Sequence, residues 1–127
     1  MSWVWISGSL FYWFRYERKY SNPHNVPQLS SYPKIALIAP FYNEEDCAEE
    51  TIQNLLNQDY PNFEVIAVND CSKDATAEIL NRMALSNPNL RVIHHAENEG
   101  KAVGLTTAAL LSDAEFLLCI DGDSLLD

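Results

Sequence analysis

Three continuously apolar runs constrain this chain more than any other feature: Ile35-Ala36-Leu37-Ile38-Ala39, Val65-Ile66-Ala67-Val68 and Phe116-Leu117-Leu118-Cys119-Ile120. A strand with one wet face alternates apolar and polar residues, so runs without alternation belong to strands covered on both faces, as in a parallel sheet between helix layers. Segments of helical spacing lie between them, with Ile52, Leu55 and Leu56 in one and Ile79, Leu80 and Met83 in the next. The pattern reads strand 34–40, helix 45–57, strand 63–69, helix 74–85, strand 90–95, helix 101–111, strand 115–121. Right-handed crossovers then build an α/β fold, an open, mostly parallel doubly wound sheet. The first two crossovers step one way and the last reverses, which predicts the strand order 3-2-1-4 with Asp70 and Asp121 flanking the switch point. The fourth strand is expected to be an exposed apolar edge.

With 127 residues, 47% of them hydrophobic, the chain can bury one modest core. A net charge of −10 excludes a nucleic-acid partner, which would need a basic face. Cys47, Cys71 and Cys119 form an odd set without close spacing, so neither a disulfide framework nor a zinc knuckle is expected and the compartment reads as reducing.

Residues 1–14 are apolar except for Ser2, Ser7, Gly8 and Ser9, carry Trp3, Trp5 and Trp13, and run into the basic cluster Arg15, Arg18 and Lys19. Aromatic residues at the headgroup level and a basic flank on the cytoplasmic side are the marks of a membrane boundary, which puts the chain after Lys19 in the cytoplasm. Fourteen helical residues reach only about 21 Å, short of the roughly 30 Å hydrocarbon core. Three readings stay open: a membrane helix that begins before residue 1, which is favoured, an interfacial helix, or a helix packed on its own domain. The expected organisation is a partial transmembrane or interfacial helix over 1–20, a linker over 21–33 with Pro23, Pro27 and Pro33, and the α/β part over 34–127.

In open parallel sheets ligands sit outside the carboxyl ends of the strands. Here those ends are polar: Tyr42-Asn43-Glu44-Glu45-Asp46 after the first, Asn69-Asp70-Cys71-Ser72 after the second, Asn98-Glu99-Gly100-Lys101 beyond the third and Asp121-Gly122-Asp123 after the fourth. Asp121 and Asp123 stand at i and i+2 of a strand end, so both carboxylates project to one side. Gly122 leaves room for a phosphate, and two hard oxygen donors suit Mg²⁺ or Mn²⁺ that shares its shell with substrate phosphates. The bland alternative is an acidic turn. Asp70 can accept an N–H edge such as that of uracil, or serve as a turn residue. Asn43 and Glu44 can contact base or ribose, or cap the next helix. Ser72 or Asp74 can cap the helix that follows. Lys101, beside Gly100 at a helix start, can reach a phosphate or stay solvated. His94 and His95 lack a partner at metal-ligand spacing and are assigned structural or surface roles.

Four ordered segments, IALIAPFYNEED (35–46), EVIAVNDCSKD (64–74), NEGKAVGL (98–105) and CIDGDSLLD (119–127), resemble the successive motifs of family 2 glycosyltransferases of GT-A fold. The Trp-rich opening with Arg15-Tyr16-Glu17-Arg18 and the ending Asp121 to Asp127 are similar to the branch of bacterial inner-membrane synthases that polymerise N-acetylglucosamine from UDP-N-acetylglucosamine into a β-1,6-linked biofilm polysaccharide. The resemblance implies that Tyr42 and Glu44 lie in the uridine-contacting loop and that Asp70 is the nucleotide-binding aspartate. It implies that Asp121 lies near ribose and diphosphate, that Asp123 ligates the divalent metal, and that Lys101 is a basic residue near the donor. Asn69 stands where many members have aspartate and keeps hydrogen-bonding capacity, while Cys71 stands where many have glycine, and only Cys71 questions the local turn. The implied partners are the UDP-sugar donor, the polysaccharide acceptor, the membrane and a small membrane subunit. No catalytic residue is assigned within the chain; the acceptor-side base is expected beyond Asp127. Rival readings are hyaluronan-, chitin- or cellulose-type synthases, a non-catalytic nucleotide-binding piece, and a haloacid-dehalogenase-like phosphatase, whose strand also ends Asp-x-Asp.

Overall fold

A computed structural model of the chain describes residues 29–121. The chain divides into two compact units, Met1–Ser31 and Tyr32–Asp127, and the fold below is that of the second. The expected membrane helix over 1–20, most of the linker, and Gly122 and Asp123 lie outside the described residues. Among the described residues no helix is long and apolar enough to cross a membrane.

The elements are β1 (Ile35–Phe41), α1 (Ala48–Leu56), β2 (Phe63–Asn69), α2 (Thr76–Ser86), β3 (Leu90–His94), α3 (Lys101–Leu111) and β4 (Phe116–Cys119). All strand pairs are parallel in the order β3-β2-β1-β4, as the sequence predicts. The pleat sorts the first two apolar runs onto two cores. Leu37, Ala39, Phe41, Val65 and Ala67 face Ala48, Ile52 and Leu55 of α1 and Leu80 and Met83 of α2. Ala36, Ile38, Ile66 and Val68 face the other way, onto Ala108 and Leu105 of α3. Alternation is missing from the sequence because each face has its own helix layer. Fully burying each Leu, Ile or Val contributes about 1.5–3 kcal/mol.

Gly104 lets α3 lie close on the sheet, since a Cβ there would stand 3.3 Å from Val68 Cγ1. The expected helix start at 45 is corrected to Ala48, because residues 42–47 make turns tied to a neighbouring loop instead of a first helical turn.

β4 departs from two-sided cover. Phe116, Leu117 and Leu118 are 58%, 45% and 47% exposed, because the helices lie over β1, β2 and β3. It is the exposed apolar edge that the topology foretells. At the amino pole of the sheet Lys34 pairs with Asp113 and with Glu64, which also takes Arg91 at 3.2 Å and the Ser112 hydroxyl at 2.8 Å. These bonds tie the starts of β1, β2 and β3 to the α3–β4 turn. The chemistry is left to the opposite pole.

Candidate functional site

Two loops at the carboxyl pole hold each other. Asn43 N–H donates to Ser72 Oγ at 3.0 Å, and Lys73 N–H returns a bond to Asn43 Oδ1 at 2.8 Å. Glu45 N–H donates to Asp74 Oδ2 at 3.1 Å while Ala75 N–H donates to Glu45 Oε2 at 2.7 Å, and Glu44 N–H reaches Thr76 Oγ1 at 2.9 Å. Asn43 and Glu45 therefore serve the entry to α2, and Ser72, Asp74 and Thr76 serve the turn before α1. Capping is exchanged between loops as well as local: Asp74 Oδ1 accepts Thr76 N–H at its own helix entry at 3.0 Å, as the sequence suggests, and its Oδ2 serves the other loop. Burial would raise the pKa of Asp74, but the Thr76 hydroxyl and N–H and the Glu45 N–H outweigh it and hold the carboxyl below its usual range.

Cys71 answers the question of the turn. Its φ of 59° is left-handed, as is Asn43 at 54°, so the backbone here has the conformation that suits glycine and a cysteine holds it against strain. Cys71 Sγ lies 3.4 Å from Ala96 O and 3.2 Å from Lys73 Nζ. Asn69 is buried and belongs to the scaffold: its Oδ1 accepts Ser72 N–H at 3.3 Å and its Nδ2 donates to His94 Nδ1 at 3.1 Å. His94 Nε2 in turn meets Asn81 Oδ1 at 2.9 Å, so His94 has the structural role expected of it.

A cleft of about 270 Å³ opens between the ends of β1, β2 and β4 and the start of α3. It is lined by Tyr42, Glu44, Asp70, Lys101 and Asp121, with Pro40, Phe41, Gly100 and Gly104 as its apolar and small-residue walls. Five of the six site residues named from the sequence thus meet in one place, and the sixth, Asp123, lies outside the described residues. Asp70 is only 4% exposed. Its Oδ1 accepts Glu99 N–H at 2.9 Å and His95 Nδ1–H at 3.0 Å, and its Oδ2 accepts Gly100 N–H at 2.7 Å. Burial alone would raise its pKa; the Glu99 N–H, the His95 ring and the Gly100 N–H outweigh that and keep it ionised below the usual carboxylate range. Asp70 is therefore a tether for the start of α3 as well as a cleft residue.

Lys101 and Asp121 form an ion pair across the mouth, each 56% exposed. An exposed pair of this kind is worth about 0–1 kcal/mol, so either partner can exchange it for a ligand at small cost. Sequence reasoning missed His95 as a member of this site. The register carries the signal: Asn69 pairs with His94, so Asp70 and His95 follow side by side.

A doubly wound sheet whose switch-point cleft gathers carboxylates and a lysine is the scaffold on which nucleotides are bound. The family model of glycosyl transferase family 2 matches residues 36–127, and the chain belongs to that family. This sets aside the phosphatase reading. Poly-beta-1,6-N-acetyl-D-glucosamine synthase of Staphylococcus aureus is 34% identical over all of this chain and 31% of its own length. The chain thus spans about a third of the curated relatives it matches. Among solved structures, the mannosyltransferase PcManGT of Pyrobaculum calidifontis in complex with GDP-Man and Mn²⁺ superposes with a TM-score of 0.72 at 32% identity, covering 94% of this chain and 36% of that one. S. aureus TarS 1–349 in complex with UDP-GlcNAc gives 0.59 at 34%, covering 71% and 26%.

Proposed function

We propose that the chain is the donor-binding part, residues 34–127, of a membrane-associated inverting glycosyltransferase that transfers N-acetylglucosamine from UDP-N-acetylglucosamine to a growing β-1,6-linked polysaccharide. The observation that carries this reading is the convergence of Tyr42, Glu44, Asp70, Lys101 and Asp121 on one cleft at the sheet's switch point. The likeness to a polysaccharide synthase and to sugar-nucleotide complexes supports the choice of substrate.

Tyr42 and Glu44 sit on the loop that would receive the uridine. Asp70 retains one acceptor position on Oδ2 for a base N–H, because an ionised carboxylate offers about four and three are filled. Lys101 leaves Asp121 to meet a phosphate. The donor set fits a divalent cation: the cleft offers hard carboxylate oxygens, with no thiol or imidazole in its lining, and three carboxylates against one lysine would repel a bare diphosphate. Asp121 and Asp123 would hold Mg²⁺ or Mn²⁺, which supplies Lewis-acid stabilisation of the UDP leaving group.

The apolar residues 1–14 and the cluster Arg15, Arg18 and Lys19 would anchor the protein at a bacterial inner membrane with residues after Lys19 in the cytoplasm, beside a small membrane subunit. Calorimetric titration with UDP-N-acetylglucosamine, UDP-glucose and GDP-mannose, with and without Mn²⁺, tests the donor assignment. Tightest binding of the first, strengthened by Mn²⁺, is expected; no binding of any of the three overturns it.

A further inference from the structure

His95 is 6% exposed in its side chain and makes one close polar contact, from Nδ1 to Asp70 Oδ1 at 3.0 Å, with Glu99 Oε2 further off at 3.6 Å. Its Nε2 is buried with no partner. A buried polar atom left unsatisfied is rare and asks for a reason. Asp70 is ionised and can only accept, so a ring proton sits on Nδ1 and points at Oδ1. The ring's Cε1 edge lies against Gly104, where a Cβ would come within 3.9 Å of it. An apolar side chain in this niche would avoid the orphaned nitrogen altogether. What a hydrocarbon cannot supply is the Nδ1–H bond.

That bond completes Oδ1, which also takes Glu99 N–H, and leaves Oδ2 as the only Asp70 oxygen with an open position. We infer that His95 is a positioning residue of the donor site, fixing the plane of the Asp70 carboxylate so that its one open lone pair faces a nucleobase N–H. The inference rests on the proposed donor reading and adds to it the residue that gives the acceptor its direction. Without His95 the carboxylate keeps its two backbone bonds but gains a second open position on Oδ1, and its preference for a ligand N–H in one place weakens.

The test uses calorimetric titration of the full chain with UDP and with N3-methyl-UDP, which lacks the N–H, in Mn²⁺. Wild type is expected to prefer UDP by about tenfold, the size of one hydrogen bond to a charged group. His95→Leu should shrink that preference to about twofold, and His95→Asn, whose amide nitrogen lies where Nδ1 does, should restore most of it. Dissociation constants are read on the binding-competent fraction, so partial misfolding lowers stoichiometry and leaves the ratio intact. An unchanged ratio in His95→Leu, whatever happens to both affinities, overturns the inference, as does a wild type that binds UDP and N3-methyl-UDP equally. A wild type that binds no UDP removes the donor reading itself, and this inference with it.

Discussion

Replacing Asp70 by asparagine keeps its volume and removes one acceptor oxygen. The carboxylate takes His95 and Glu99 on Oδ1 at 3.0 and 2.9 Å and Gly100 on Oδ2 at 2.7 Å. An amide oxygen in the Oδ1 place leaves the NH₂ group pointing at Gly100 N–H, donor against donor. Depriving that N–H of its acceptor costs about 1–3 kcal/mol, and turning two charge-assisted bonds into neutral ones costs roughly 1 kcal/mol more. The expected loss is about 2–4 kcal/mol, and at about 4–8 °C per kcal/mol for a domain of this size the melting temperature falls by roughly 8–32 °C. Urea unfolding followed by circular dichroism at pH 7 measures it. The pH dependence has a definite sign: both Asp70 and Asp74 have depressed folded pKa values, so their stabilisation is present above the unfolded value of about 3.9 and is lost as pH falls through the folded ones. The wild-type urea midpoint should hold from pH 7 to about 5 and fall below about 4, and Asp70→Asn should fall less steeply. An Asp70→Asn protein within about 0.5 kcal/mol of wild type would show that the three bonds are not what holds α3 in place.

Cys71→Gly relieves the left-handed strain of about 1–2 kcal/mol against an entropic cost of about 0.5–1, so a net gain of roughly 0.5–1 kcal/mol in urea unfolding is expected. Gly104→Leu should destabilise by about 1–3 kcal/mol, because even a Cβ there already presses on Val68; a neutral effect would mean that α3 can move off the sheet freely. Lys101→Ala should weaken UDP binding several-fold while leaving uridine binding unchanged, since the proposed role of Lys101 is to meet a phosphate and not the base. In the full-length protein Asp123→Asn should cut sugar incorporation by on the order of a hundredfold or more with metal-free UDP affinity unchanged; wild-type turnover would return the Asp121-Gly122-Asp123 triplet to an acidic turn.

The strand order and the cleft were legible because both follow from chain direction. Three apolar runs without alternation demand cover on two faces, and a parallel sheet then delivers Asp70 and Asp121 to the same pole whatever the side-chain details. The exchange of caps was not legible. Ser72 and Asp74 precede a helix in the order a local cap requires, and Asp74 makes such a bond to Thr76 N–H, but nothing in that order says that Asn43 and Glu45, about 30 positions earlier, supply and receive further bonds. His95 was hidden for a related reason. As one of two adjacent histidines without metal spacing it looked inert, and its place on Asp70 emerges only when β3 is set in register with β2. β4 was legible from topology and not from composition: it matches β1 and β2 residue for residue in kind, and the expected edge position leaves Phe116, Leu117 and Leu118 in contact with water.

The reciprocal bonds between the turn before α1 and the turn before α2 bear on how this surface can change over evolutionary time. Insertions are ordinarily tolerated in surface loops, which drift in length more readily than the elements they join. Here an added residue in either turn would shift Asn43 from Lys73, or Glu45 from Ala75, and unfasten both helix entries together. The two segments can therefore vary only in concert, and variation in length is pushed toward connections outside this exchange. A cleft framed this way changes its preference by exchanging side chains on a fixed outline, with the shape of the opening itself held constant.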